Sequence, residues 1–557
     1  MRGTEGMSKL IPRTGSWKHL ASANNETLVP VTLNETDMER LIVKLLERLV
    51  RQGRVSRTTA DPGNEGIPKL VDDVAQHPKL MGFSSAKGKQ VLEGWLRASV
   101  FSTNSAGKNR KGGDKIDYFI PHSSAVYRSG YPKQTSRFRK ADTFAYLAVQ
   151  HYLQSQSQNQ FQEIFTGDDH ENRTVLSRGI EFGIYPRSEP HYLEGAEIDI
   201  ETLIQLRALE TISGPDTAVE KNKSHLGPFP STYENLGSDL VVFLEACKDL
   251  TAIEITSGLQ GILGYHFYCL PLITALELDN KLDTDSGVVE PLGLYFDFTS
   301  DEQSQSRSIA NMCVSRDFER FRRLFDNMIL LREVESAILT SEYAKQYKEM
   351  NPHQRLDFQV TSILDADIQN IVRIKLSMLF GEMSEEYRTA AEMLIERYEN
   401  PIVKLARIII EDREQDALNG MRKWAYSTGG LEPESRQTAN YLLVGTKRAP
   451  TTWSYKLSDN LLTSLIQMCF IHGRNQLNSE GPKRIPLSHL LATLESRYGI
   501  LIAKPPVGMQ SDEDLNAAHE NLKAFKAKLK LLGLFDGLSD DSTAQHVRNP
   551  LRSSNEH

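Results

Sequence analysis

A chain of 557 residues with 39% hydrophobic and 25% charged residues has ordinary globular proportions, which excludes a collagen-like chain, a coiled-coil rod and wholesale disorder. The formal charge of -8 is small for that length, so the molecule as a whole is no electrostatic glove for nucleic acid, and any DNA contact must be local. The length suits about two to four domains of ~100–200 residues each.

Residues 1–35 are polar and aperiodic and read as a flexible arm; no apolar stretch follows the basic residues of "MRGTEGMSKLIPRTGSWKHL", so no secretory signal is expected and the cytoplasm is the expected location. In "NETDMERLIVKLLERLVRQG", Thr36 and Glu39 have the spacing of a capping box, and Leu41, Leu45, Leu46 and Leu49 share one helical face before Gly53. "SSAKGKQVLEGWLRASVF" predicts a second helix, "NSAGKNRKGGDK" a loop or hairpin between short strands, and "RFRKADTFAYLAVQHYLQ" a further helix. "EIDIETLIQLRALETI" is also amphipathic, and the Gly, Pro and Ser clusters of "SGPDTAVEKNKSHLGPFPS" mark a boundary after it.

The central region is mostly helical, through "SDLVVFLEACKDL", "RDFERFRRLFDNMILLREVESAIL", "ILDADIQNIVRIKLSMLF" and "NPIVKLARIIIEDREQDAL". The run Gly258 to Leu278 approaches bilayer-spanning length, but Gln260, His266, Pro271 and Glu277 interrupt it; a buried core helix kinked at the proline is expected, and no membrane. "LGLYFDF" alternates with period two, the pattern of a half-buried strand. From Ser458 the order is helix, helix, a long helix "DEDLNAAHENLKAFKAKLKLLG", then two extended pieces around "SDDST". Leu515, Ala518, Leu522, Phe525, Leu529 and Leu532 form an apolar stripe on the long helix, and Leu534, Leu538 and Val547 would close a wing over the core. The expected fold is therefore mainly α and multi-domain with a few short strands. Its parts are a flexible arm (1–35), an N-terminal helical domain with a basic loop (36–215), a central helical domain (216–449) and a C-terminal winged-helix module (450–557).

Catalytic signatures are degraded. "GFSSAKGKQ" has five residues between its glycines instead of four and Gln90 where a phosphate loop needs Ser or Thr, so it reads as a helix start. "DNKLDTDSGVVE" has Lys281 at a calcium-ligand position and Thr284 where the turn glycine belongs, and reads as an acidic surface loop. Cys247, Cys269, Cys313 and Cys469 lie far apart in apolar runs and read as buried thiols; His266 and Cys269 read as packed. The enzyme alternative is a metal-dependent nuclease using the carboxylates around Asp168 and Asp199, since hard cations need several convergent oxygens. No cofactor and no metal is expected.

The segment from Asn104 to Lys140 is the most basic, with Lys108, Arg110, Lys111, Lys115, Arg128, Lys133, Arg137, Arg139 and Lys140 interleaved with Tyr118, Phe119, Tyr127, Tyr131 and Phe138. These side chains offer contacts to phosphates and stacking on bases. On the long C-terminal helix, Lys523, Lys526 and Lys530 form a second positive strip, which leaves a DNA-binding regulator as a third reading. The groove-entering end of that helix, however, carries Asp512, Glu513 and Asp514, and from Pro450 onward 12 basic residues face 11 acidic ones. Repulsion from phosphates favours a protein-contacting module.

The pairing of "GFSSAKGKQVLEGWLR" with "RIPLSHLLATLESRYGILI" and "LKAFKAKLKLLGLFDGLSDDSTAQHVRNP" resembles accessory subunits encoded beside HerA-type ATPases in prokaryotic anti-phage defence, of the DptG type and its methylation-associated analogues. That resemblance implies a helical, non-catalytic adaptor that joins an ATPase or nuclease subunit. It transfers no functional residues.

Overall fold

The structure, a computed structural model, describes residues 10–11, 25–50, 66–76, 81–104, 115–119, 140–156, 226–246, 252–282, 291–431, 438–472, 482–537 and 545–550. Helices dominate: α1 (Met38–Val50), α2 (Gly66–Ala75), α3 (Ala86–Trp95), α4 (Ala141–Gln156), α5 (Glu234–Ala246), α6 (Ala252–Leu282), α7 (Gln305–Ile338) and α8 (Ala344–Glu349). They continue with α9 (Pro352–Ser362), α10 (Ala366–Glu382), α11 (Glu385–Ile395), α12 (Pro401–Thr428), α13 (Asp459–His472), α14 (Leu487–Tyr498) and α15 (Asp512–Leu531). Their starts follow from local chemistry. Ser85, Ser304, Asn351, Asp365, Ser384, Asn400 and Ser511 each accept a hydrogen bond from a backbone N–H of the first turn, satisfying a donor that has no partner within the helix. Helix α1 starts at Met38, and the Thr36 N–H is bonded to Ser427 Oγ on α12.

Helix α6 is the axis of the core and touches α1, α5, α7, α12 and α13. It is apolar on every side, with Tyr265 and Phe267 to Leu270 all buried, as a helix surrounded by others must be. Among the described residues it is the one helix long and apolar enough to cross a membrane, yet 83% of its apolar window is buried inside the protein. Pro271 lies within it and has no N–H to give the carbonyl of Phe267, four residues back. That carbonyl accepts instead from the indole Nε1 of Trp424 on α12, at 2.8 Å. The acidic loop expected from Asp279 begins as the last turn of α6: Asp279 accepts from Asn327, and Lys281 pairs with Asp357 at 2.5 Å.

Helices α4 and α5 meet at Gly237, where a Cβ would drive into the Ala148 carbonyl and sit 3.2 Å from Tyr152 Cβ. An alanine there gains about 1 kcal/mol of helix propensity, but overpacking against fixed backbone costs about 1–3 kcal/mol. Gly237→Ala is therefore expected to lower the unfolding midpoint in a thermal melt, and a raised midpoint would show that α4 can step aside.

Strands are short. The hairpin expected around Asn104 is formed by β1 (Phe101–Asn104) and β2 (Lys115–Phe119), antiparallel and with a register irregularity between Ser102 and Thr103. "LGLYFDF" contributes only β3 (Leu294–Tyr295), parallel to β7 (Ile500–Leu501). It is not half-buried: Leu294, Tyr295, Phe296 and Asp297 are all enclosed, because α7 covers one side and hydrogen bonds from α15 reach the other. β4 (Leu443–Val444) pairs antiparallel with β5 (Ser454–Tyr455). At the carboxy end β6 (Arg484–Pro486), β9 (Gln545–Arg548) and β8 (Phe535–Gly537) form a sheet in the order β6-β9-β8, with Val547 facing both Ile485 and Phe535. Ala518, Phe525 and Leu529 of α15 are buried as the stripe requires, with Leu522 and Leu532 partly so. Leu515 is 50% exposed and does not belong to the stripe, for the first turn of α15 is held by polar bonds. Leu534, just before β8, and Val547, in β9, are buried, and Leu538 lies outside the described residues.

Candidate functional site

Of the sequence-predicted basic residues, Lys108, Arg110, Lys111, Arg128, Lys133, Arg137 and Arg139 lie outside the described residues, as do Asp168 and Asp199 of the proposed metal site. Lys115 opens β2. Lys140 precedes α4 with φ 65° and pairs with Glu26 at 2.5 Å. On α15, Lys523 is bonded to Glu520 at 2.8 Å, Lys530 lies 5.7 Å from the centre of the Phe535 ring, and Lys526 makes no ion pair among the described residues. The acidic first turn divides: Asp512 and Glu513 are exposed, while Asp514 is buried and accepts from Gln305 Nε2 at 2.9 Å and from the N-cap Ser511. Those hydrogen bonds hold the Asp514 carboxyl below its usual range. The solvent face of α15 thus carries Asp512, Glu513 and Glu520 against Lys523 and Lys530, together with Leu515 and the 83% exposed Leu531.

Helix α15 is fastened to the core by Asn521. Its amide donates to the carbonyls of Phe296 at 2.8 Å and Ile502 at 3.0 Å, and its oxygen accepts the Phe298 N–H at 2.7 Å. A second tie is Asp239 on α5, only 1% exposed as a side chain. His266 Nε2 of α6 lies 2.8 Å from one carboxylate oxygen and His472 Nε2 of α13 lies 2.7 Å from the other, which Arg497 of α14 also reaches through Nε at 3.1 Å and through Nη2. An ionised carboxylate only accepts, so both imidazoles carry their proton on Nε2. Burial works to raise the Asp239 pKa, but the His266 and His472 hydrogen bonds and the nearby His266 and Arg497 charges outweigh it and hold the carboxyl well below the usual range.

A third buried centre lies at α7. Asp317 accepts from Arg320 at 2.8 Å and from the Tyr455 hydroxyl at 2.6 Å, and Tyr455 meets Tyr268 of α6 at 2.8 Å. Because Tyr455 turns inward, its neighbour Ser454 faces the opposite side of β5, beside its cross-strand partner Val444. That side borders a polar cleft of about 790 Å³ between the first turns of α7 and the β4–β5 hairpin. Asn311 Nδ2 pins the hairpin by donating to the carbonyls of Thr451 at 2.9 Å and Trp453 at 2.6 Å. Gly445, with φ 136°, passes so close to Thr452 that a Cβ would lie 2.7 Å from its carbonyl oxygen.

Cys269, Cys313 and Cys469 are buried and free, and Cys247 lies outside the described residues. Burial pushes the Cys313 thiol up to about 11 and Cys469 up to about 12, so both are protonated near neutral pH and are poor nucleophiles. Among the described residues no group of three or more His, Cys, Asp or Glu side chains converges as metal ligands.

None of Asp239, Asp317, Asn521 or Ser454 stands out in the sequence. Asp239 lies 27, 233 and 258 residues from its partners, so no local spacing signals the cluster. His266 sits on an apolar helix and is packed there, as its surroundings predict.

These features define a mainly helical protein whose carboxy-terminal segment is bolted to a large core by buried polar ties. Over residues 18–551 the chain matches the model of a family described as methylation-associated defense system protein MAD7, and it belongs to that family of defence-system proteins. No curated protein and no solved structure matches.

Proposed function

We propose that the chain is a non-catalytic docking subunit of a methylation-associated defence complex, acting in the cytoplasm and presenting its carboxy-terminal module to a partner ATPase of the HerA type or to a nuclease subunit. The order α13-β6-α14-β7-α15-β8-β9, with β6, β9 and β8 in one sheet and β7 paired to β3, supports reading that module as a winged helix. The observation that carries the proposal is the solvent face of α15, where three exposed acids, the exposed Lys523 and Lys530, the half-buried Lys526, and Leu515 and Leu531 at its two ends make a mixed, partly apolar surface. DNA readers present basic and polar groups to phosphates at this helix; a face that mixes acids with exposed leucines suits a protein contact better.

The test is copurification of the tagged full-length chain with the proteins encoded beside it, in parallel with a Leu515→Asp/Leu531→Asp double variant. Both leucines face water, so the variant is expected to keep its melting temperature while losing the partner. Recovery of the wild-type chain alone at physiological salt, or a variant that retains its partner, would overturn the proposal.

A further inference from the structure

We propose that the cleft between the start of α7 and the β4–β5 hairpin binds a nucleoside monophosphate, with the phosphate held at the N-terminal turn of α7 between Arg307 and Lys456. Several polar groups around the cleft are already committed. Thr452 Oγ1 accepts the Thr446 N–H at 2.9 Å and donates to the Ala449 carbonyl at 2.8 Å, and the Asn311 amide is taken up by the hairpin carbonyls. Two cations remain at the cleft, one of them without an ion pair among the described residues and the other in a long one. Lys456 makes no ion pair, and the nearest carboxylate oxygen to Arg307, on Asp297, is 3.9 Å away. Ser308 is exposed on the next position of α7.

The independent pointer is Ser454. It is 1% exposed, lines the cleft, and its hydroxyl has no hydrogen-bond partner. Burying a hydroxyl without a partner costs about 1–3 kcal/mol, a cost that a bound acceptor removes. The start of a 34-residue helix adds the positive end of its dipole, equivalent to about half a charge.

Charge and size fix the class of ligand. Arg307 and Lys456 are set against the exposed Glu302 of the lining and the buried Asp297 behind Arg307, a nearly balanced set of charges that suits a single phosphate better than a polyphosphate. A cleft of about 790 Å³ is far larger than inorganic phosphate needs and falls within the ~300–1,000 Å³ usual for small-ligand sites. Tyr441 is the aromatic residue of its lining and offers a surface on which a base stacks.

Titration calorimetry of the full-length protein with the four nucleoside 5′-monophosphates, the matching nucleosides and inorganic phosphate tests the assignment. Saturable binding is expected for at least one monophosphate, at least tenfold tighter than for its nucleoside or for phosphate alone. Lys456→Ala is expected to weaken it about tenfold, the value of one charge-assisted contact. Ser454→Ala removes a hydroxyl with no structural partner, so it should leave the melting temperature unchanged or raise it while still weakening binding. The proposal is overturned if no monophosphate binds saturably at millimolar concentration, if inorganic phosphate binds as tightly, or if the folded Lys456→Ala and Ser454→Ala variants bind like the wild type.

Discussion

Asp239→Ala is expected to destabilise the protein by about 3–5 kcal/mol, the usual cost of removing one partner from a buried charge cluster. The substitution leaves Arg497, His266 and His472 facing one another in a space from which the carboxylate has gone. Because these partners come from α6, α13 and α14, the loss should appear as one cooperative shift of the denaturant midpoint and not as local fraying. An Asp239→Asn variant separates charge from shape. Since the folded carboxyl is held below its ordinary range, its contribution is complete above the unfolded value, ~3.9, and is lost as pH falls through the folded one. The stability gap between wild type and Asp239→Asn should therefore narrow progressively as the buffer is made more acidic than about pH 4. A gap that widened on acidification would mean that the carboxylate is strained, not stabilised, by its surroundings.

Asn521→Ala is expected to have the second large effect. It leaves the Phe296 and Ile502 carbonyls and the Phe298 N–H without their partner, all beneath α15. At about 1–3 kcal/mol for each orphaned buried group the loss amounts to roughly 3 kcal/mol or more. It should be local in character. Hydrogen exchange is expected to accelerate at residues 294–298 and 500–502 and along α15 while α4 and α5 keep their protection. Uniform acceleration across the chain would show instead that α15 has no separable attachment.

Much of the helical content was legible because its signals are local. Apolar spacing in "RDFERFRRLFDNMILLREVESAIL" and "NPIVKLARIIIEDREQDAL" acts within a few residues of the helices it defines. The carboxy-terminal order of helices and strands could be read for the same reason. Leu515 was misassigned because periodicity does not register that Ser511 and Asp514 close the first turn of α15 with polar bonds. The strand at Leu294 was taken as half-buried because alternation describes one strand, whereas burial is decided by what packs on it: α7, the next helix along, and α15, far along the chain. The cleft was invisible for a related reason: Arg307 and Lys456 are ordinary surface-type residues until the hairpin is pinned across the start of α7. Spacing reveals neighbours on one element, and most of the polar chemistry here joins different elements.

The meeting of Pro271 and Trp424 bears on how the chain is made. The carbonyl that Pro271 leaves open is closed by an indole 157 residues further along, so the most apolar helix emerges from the ribosome well before the group that completes it. At about 5–20 residues per second, that interval is roughly 8–30 s of synthesis. Throughout it, only the segments made earlier are there to cover the apolar faces of the helix that α7, α12 and α13 cover in the finished molecule.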